Sequence, residues 1–395
     1  MEHIGNHKQI LAGKVERDSR DGEGAGQDAG VHSQGTGTAL QDQASLQDLP
    51  RGAQRKGSRP HGAVKRTEGM TVATLRTVDR LEVVPLVDNL IDWTRLEKDS
   101  IAISPRVWVG SERGDPDYVQ GGHGLSMLVT AVVGNKRRTV LYDTGPSNVL
   151  LEHNARALNV DMAEIEAIVL SHGHWDHFGG LEWALQAIGR HGLPVYIHPR
   201  MFYPRSVRRR GLLRETRRRL GEVTSLDRIR ELGGAPVDSV EPTFLVDDLF
   251  LVSGEVPRET SYEKGFPGHE ALIDGMWVDD HLLIDDRCLI ANVRDRGLVI
   301  ISGCSHAGIV NMTHHALRVT GETVVAAIFG GLHLLSASAE TIRLTINDLA
   351  ELNPSLLVLG HCTGWKAQAQ FLRAFPGRFI PSSVGMKYVV SSSQD

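Results

Sequence analysis

The stretch VLSHGHWDHFGGL, Val169 to Leu181, constrains this chain more than any other part of it. It sets His172, His174, Asp176 and His177 within six positions, directly after an apolar run and directly before a Gly pair. In extended backbone His172 and His174 point to one side, so two neutral imidazoles can grip one metal ion, while Asp176 and His177 lie past the turn and can reach a second. Gly173 is expected to relieve crowding between the two histidines, and Gly179 and Gly180 to let the next helix start tight against the loop. Burying that much polarity without a metal would be costly, so the spacing predicts a dinuclear centre. Such a centre needs a rigid scaffold that ends several strands in one place.

The rest of the sequence predicts that scaffold. With 395 residues, 41% of them hydrophobic, the chain can bury a sizeable core. RLEVVPLVDN, LSMLVTAVVG, RRTVLYDTG, IEAIVLSHG, LPVYIHP, LFLVSGEV, GLVIISGCSHAG, TVVAAIFGGLHLL and SLLVLGHCTG read as strands. SNVLLEHNARALN, GGLEWALQAIGRHG, HHALRVTG and SAETIRLTINDLAEL read as helices. Interleaved in this way, without a repeat of fixed period, they fit two packed sheets covered by helices. Asp143, the His172 to His177 cluster, His198, Cys304 with His306, His333 and His361 each follow an apolar run, usually beside a Gly, which places them on loops along one sheet edge.

Residues 1–70 read differently. Up to Gly69 there is no Phe, Trp or Tyr, so this stretch is expected to be a disordered, low-complexity tail ahead of a catalytic domain over 71–395. Met70 stands where ordered-looking sequence begins, either as the end of a tail or as a later start. Glu16, Asp18, Asp21 and Glu23 argue against a transit peptide. A net charge of −5 argues against a general nucleic-acid or membrane-surface binder. Cys288, Cys304 and Cys362 are too few for a disulfide framework, and no apolar run approaches the roughly 20 residues of a membrane span, so a reducing, cytoplasmic setting is expected.

The run PRSVRRRGLLRETRRRLGE, residues 204–222, predicts an Arg-rich helical insertion: Arg205, Arg208, Arg209, Arg210, Arg214, Arg217, Arg218 and Arg219, with Glu215 and Glu222 pairing at helical spacing. No aromatic residue interleaves the arginines, which argues against single-strand nucleic-acid binding. Asp279, Asp280, Asp285 and Asp286 in DDHLLIDDRC are expected to form an acidic loop opposite them.

SHGHWDHFGG, preceded by LYDTG and followed far downstream by LGHCTG, resembles the metallo-β-lactamase fold superfamily of metal-dependent hydrolases. The resemblance implies an α/β fold, an αββα four-layer sandwich with its metals at one edge. It carries His172, His174, Asp176 and His177 over as ligands and gives Asp143 the task of holding the metal loop by hydrogen bonds. Where the family places a bridging Asp after the strand GLVIISG, this chain has Cys304, Ser305 and His306. His306 is therefore the expected ligand and Cys304 a weaker candidate. His361 matches the family's last His, His333 is expected as a ligand or as an acid near the substrate, and His198 as scaffold. One or two divalent ions are implied, zinc first, with manganese or iron also suited to histidine and carboxylate donors.

A narrower likeness lies in GGHGLSMLV, SGEVPRET, GCSHAGIVN, GGLHL and HCTGWKA, which together resemble the 7,8-dihydropterin-6-methyl-4-(β-D-ribofuranosyl)aminobenzene 5'-phosphate synthase-like branch. It implies an enzyme acting on a phosphorylated or diphosphate-bearing small molecule, by group transfer with diphosphate loss. Asp176 and His333 are the expected catalytic groups, and Glu255, Arg258, Glu259 and His123 the expected substrate contacts, Arg258 as a bidentate phosphate partner. The same site suits a hydrolase, a phosphodiesterase or lactonase before a nuclease, in which Asp176 helps orient the attacking water. A non-catalytic metal or ligand sensor is the reading of another class; the missing bridging Asp favours it and the intact ligands oppose it.

Overall fold

Alternation along the apolar runs decides the architecture. In Arg80–Val87, Leu81 and Val83 turn to one face and Val84 and Leu86 to the other, and all four are buried. Gly297–Ser302 repeats this, with Val299 and Ile301 on one side and Leu298 and Ile300 on the other. Strands apolar on both faces must be covered on both. The computed structural model, which describes residues 74–94, 99–110, 118–210 and 215–393, meets that need with two stacked eight-stranded sheets. The tail expected over residues 1–70 lies outside the described residues, as does Arg214.

The first sheet runs Gly234–Asp238, Leu193–Ile197, Ile165–Val169, Lys136–Tyr142, Ser126–Val133, Arg80–Val87, Lys387–Ser391, Ala102–Ile103. The second runs Thr243–Leu245, Phe250–Val252, Cys288–Val293, Gly297–Ser302, Val325–Gly330, Leu356–Leu359, Phe379–Pro381, with Thr77–Val78 paired parallel to Cys288–Val293. Their facing sides share a core that includes Val83, Met127, Tyr142, Val299, Phe329 and Val358. Helices Asn148–Ala157 and Leu181–Ile188 cover the outer face of the first sheet. Ile309–Thr320, Ala339–Leu352 and Trp365–Ala374 cover that of the second. The layers are αββα, as the resemblance implies. Ser338 caps Ala339–Leu352 by accepting from the Thr341 N–H at 3.0 Å, and Asn353, left-handed at φ 51°, ends it. Among the described residues no helix is long and apolar enough to cross a membrane.

Parallel pairing gathers the site. Lys136–Tyr142, Ile165–Val169 and Leu193–Ile197 are parallel neighbours, and so are Gly297–Ser302, Val325–Gly330 and Leu356–Leu359. Each trio therefore ends on one edge, delivering Asp143, His172 and His198 from the first sheet and Cys304, His333 and His361 from the second.

The Arg-rich run is not a helix. Arg205–Arg210 and Glu215–Arg219 are antiparallel strands that join His269–Ile273 and Met276–Asp279 in a third, four-stranded sheet. Helical spacing offers these arginines two glutamates; cross-strand neighbours offer more. Glu270 lies 3.3 Å from Arg208 and 2.8 Å from Arg217, Arg208 lies 3.7 Å from Glu215, and Arg217 and Arg219 stand over the Trp277 ring at 5.2 and 5.8 Å. Arg205 turns inward, 2% exposed, and donates to Asp285 at 2.6 Å. The acidic stretch thus does reach the arginines, but through a buried pair and not as a facing loop.

Phe329 is fully buried between the sheets, its ring 6.0 Å from that of Tyr388. Phe329→Ala is expected to cost about 3–5 kcal/mol of unfolding free energy in urea titration; a loss below about 1 kcal/mol would contradict the central role given to this interface.

Candidate metal centre

Asp143 ends its strand in left-handed backbone, φ 57°. Its Oδ1 accepts from the Ser171 N–H at 2.7 Å, and its Oδ2 accepts from the Ser171 hydroxyl at 2.7 Å and lies 2.7 Å from His177 Nδ1. The carboxylate therefore ties the loop to the sheet and turns His177 Nε2 toward the cluster, the role the resemblance implies. Ser171 Oγ also lies 2.9 Å from His172 Nδ1, which leaves His172 Nε2 facing His174 Nδ1 at 3.0 Å.

The glycines of the loop divide in their roles. A Cβ on Gly179 or Gly180 would overlap the Pro146 or Thr144 carbonyl oxygen, so both permit the tight start expected of them. A Cβ on Gly173 would stand 2.7 Å from the Met201 carbonyl oxygen and 3.1 Å from the Arg205 guanidinium. Gly173 thus admits the Met201 turn and the Arg205 side chain beneath the loop, where spacing between the histidines was expected, and its N–H donates to Asp285 Oδ2 at 2.9 Å.

Among the described residues, five groups of side chains offer ligand atoms within 4.8 Å of one another: His172, His174, His306; His172, His177, Cys304; Cys304, His306, His333; Cys304, His361, Cys362; and His123, Asp176, His361. Cys304 belongs to three of them, its Sγ 3.2 Å from His177 Nε2 and 3.3 Å from His361 Nε2. A thiol stands where the family pattern places a carboxylate, and the weaker candidate is the most central donor. Asp176 Oδ2 lies 3.4 Å from His361 Nε2, 3.5 Å from His123 Nε2 and 3.6 Å from His177 Nε2. His123 is half-exposed and stacks on His361 at 4.8 Å.

These residues fit a divalent ion on their own chemistry. His306 is buried with neither ring nitrogen hydrogen-bonded, 4.9 Å in ring distance from both His172 and His174. A buried imidazole without a partner is costly, and a metal ion answers such a lone pair. Burial, then the charge of neighbouring groups, lowers the pKa values of His172, His174 and His306 well below the usual 6.5, which keeps them neutral donors. Burial alone would raise the Asp176 carboxyl, but the His177 and His361 imidazoles hold it well below the usual carboxylate range. Burial opposes a charge on His361 too, yet Cys362, Asp176 and Asp88 push it up to about 9.

Not every expected residue reaches the cluster. Arg258 turns its terminal nitrogens to main chain: they bond the Val256 carbonyl, the Leu282 carbonyl at 2.5 Å and the Leu283 carbonyl at 3.2 Å, pinning two segments together where phosphate binding was expected, and its buried Nε has no hydrogen-bond partner. Glu255 pairs with the buried His198 at 3.1 Å, and Glu259 with Arg318 at 2.6 Å. His333, at φ 46°, does arrive, its ring 4.1 Å from His306. All three cysteines are free.

Three members were missed, the first of them Cys362, which shares a group with Cys304 and His361. His269 places Nε2 3.0 Å from His174 Nε2 and Nδ1 3.2 Å from an Asp280 carboxylate oxygen. It begins a strand of the inserted sheet and carries no local signal. Asp88, fully buried, accepts from the His361 N–H at 2.7 Å. It ends an apolar run as Asp143 does, so the strand-end pattern could have found it.

Comparison with known proteins agrees with this fold. The model of the metallo-beta-lactamase superfamily matches residues 120–269. The chain is 33% identical over 261 residues to the 7,8-dihydropterin-6-methyl-4-(beta-D-ribofuranosyl)-aminobenzene-5'-phosphate synthase of Methanocaldococcus jannaschii, a match covering 65% of this chain and 86% of the relative. It is 31% identical over 247 residues to an uncharacterized protein of the same organism, covering 62% and 85%. Among solved structures, Tm1679, described as a metal-dependent hydrolase of the β-lactamase superfamily, superposes with a TM-score of 0.60 at 24% identity, over 79% of this chain and 100% of that one, and so shares the fold.

Asp143→Asn keeps the shape of the side chain while weakening its hold on His177. It is expected to leave the fold intact and to lower metal affinity about 10–100-fold in chelator competition; unchanged affinity would remove Asp143 from the supporting role.

Proposed function

The chain belongs to the metallo-β-lactamase superfamily, and we propose that it is a metal-dependent enzyme that acts on a phosphorylated or diphosphate-bearing small molecule by group transfer with loss of diphosphate. The observation that carries the reading is the buried donor cluster centred on Cys304, with two imidazole nitrogens of His306 left without partners. The name of the M. jannaschii relative supports transfer over hydrolysis. His172, His174 and His306 are assigned to one ion, and His177, Asp176, His361 and Cys304 to the second. Imidazole and thiolate together favour zinc or iron over manganese.

Bound divalent ions supply charge neutralisation for a departing diphosphate and lower the pKa of any water they hold. The chain's own side chains do the rest. Asp143 and Asp88 fix His177 and His361 from behind, so that their Nε2 atoms face the substrate side. His333 has a buried Nδ1 with no hydrogen-bond partner and is assigned to hold a proton for a substrate oxygen. His123, half-exposed beside Asp176, is assigned to substrate contact. The pairing of Arg208 and Arg217 with Glu270, and of Arg217 and Arg219 with Trp277, supports a small-molecule substrate over nucleic acid.

His174→Ala is expected to abolish turnover and remove much of the bound metal, against about two ions per wild-type chain by elemental analysis. Turnover is assayed on a pterin diphosphate with a phosphorylated aminobenzene riboside, beside phosphodiester and lactone substrates. Coupled product identifies transfer, and cleavage without coupling identifies hydrolysis. Full activity with unchanged metal content in the variant would overturn the assignment.

A further inference from the structure

A cavity of about 260 Å³ opens beside His306 and His333. Its walls are unlike the metal cluster. Phe266 lies parallel to His306, 3° between planes at 5.7 Å, and 5.0 Å from His333. Ile309, Leu332 and Leu334 line the cavity, each less than a tenth exposed. The volume falls a little below the roughly 300 Å³ at which pockets begin to hold whole drug-sized ligands, so it suits one ring system and not a complete two-part substrate.

Its polar end is occupied by the protein itself. The twelve-residue helix Ile309–Thr320 begins at this cavity, and a helix start ordinarily attracts an anion. Here the Val310 N–H donates to Glu263 Oε1 at 2.9 Å and the Asn311 N–H to Glu263 Oε2 at 3.0 Å. The Thr260 hydroxyl donates to the same Oε2 at 2.9 Å. Gly308 permits this approach, since a Cβ there would overlap the carboxylate. The one other formal charge on the lining is Lys264, which is exposed at the rim. A phosphate entering the cavity would meet a carboxylate already seated on the amides that would have bound it.

We infer that this cavity receives the flat, uncharged heteroaromatic ring of the substrate, stacked against Phe266, and that Glu263 bars the phosphorylated end from it. The inference rests on the proposed function for the identity of the ring and adds the direction in which the substrate lies. The ring goes to the Phe266 side, and the charged group stays over the metal cluster. Phe266 and Glu263 become specificity residues, neither of them a metal ligand.

The test uses the full chain with its metal bound, fluorescent pterin, neutral at pH 7, and inorganic phosphate as a separate anion. Wild type is expected to bind pterin while phosphate occupies the metal side, so that saturating phosphate weakens pterin binding by less than about twofold. Phe266→Leu keeps apolar volume but removes the flat face, and is expected to weaken pterin binding by about tenfold at unchanged metal content. Glu263→Gln is expected to leave pterin binding within about twofold without phosphate, but to admit phosphate to the cavity, so that phosphate then weakens pterin by about tenfold. The assignment is overturned if wild type fails to bind pterin, if Phe266→Leu binds it undiminished, or if phosphate displaces pterin from wild type as readily as from Glu263→Gln. Pterin binding that Phe266→Leu weakens, with no turnover of a pterin diphosphate, would count against the reaction and leave the cavity assignment standing.

Discussion

The structure turns on burying His172, His174, His177, His306 and His361 together at the edge of two sheets. Imidazoles taken out of water need a partner for each nitrogen, and the fold supplies one from behind where it can. Asp143 takes His177 Nδ1, Ser171 takes His172 Nδ1, and Asp88 holds the backbone of His361. Asp286, pushed up to about 7 by burial, accepts from the Ala307 N–H at 2.7 Å next to His306 and lies 3.7 Å from His172 Nδ1. Anchoring the rear of the rings leaves the forward nitrogens converging on one another and on Cys304. That convergence is unfavourable without a cation and favourable with one, which couples the stability of the loop to metal binding.

The third sheet is part of the same arrangement. A buried ion pair is tolerable only when its remaining donors and acceptors are engaged. Asp285 meets that condition on its own side, taking Arg205 with one oxygen and the Gly173 N–H with the other, while Arg205 bonds the Arg200 carbonyl as well and keeps its Nε and Nη1 without hydrogen-bond partners. Burial alone would raise its pKa, and Arg205 holds it well below the usual carboxylate range. The insertion therefore braces the metal loop from below, and the strand beside it brings His269 to His174. Phe266 and Glu263, just before that strand, shape the neighbouring cavity. Two separate stretches of chain, joined in this third sheet, thus support the ligands and lead into part of the pocket.

Placing a thiol at the centre changes the donor set without dispersing it. Cys304 stands at the end of Gly297–Ser302, next to the turn in which Ser305 adopts φ 58°. That geometry directs Cys304 toward His177 and His361 and carries His306 to the other side of the cluster, against His172 and His174. The strand-end scaffold is kept, and a thiol joins the imidazoles and the carboxylate that it presents.

How much of this was legible depends on the range of the interactions involved. Periodicity in RLEVVPLVDN, GLVIISG and SLLVLG shows strands apolar on both faces, and that alone requires layers on either side. The spacing in SHGHWDH and the polar residue after each apolar run place His172, His174, Asp176, His177, His306 and His361 at one edge. These are local properties, and the sequence by itself determined them. Tertiary structure decided what no short window contains. Arg205–Arg210 and Glu215–Arg219 became strands because Glu270 and Trp277, more than fifty residues later, outcompete helical pairing. Arg258 was drawn to the carbonyls of Leu282 and Leu283, and His269 entered the centre from a segment with no motif. Charged and aromatic side chains have several partners within reach, and long-range packing alone selects among them.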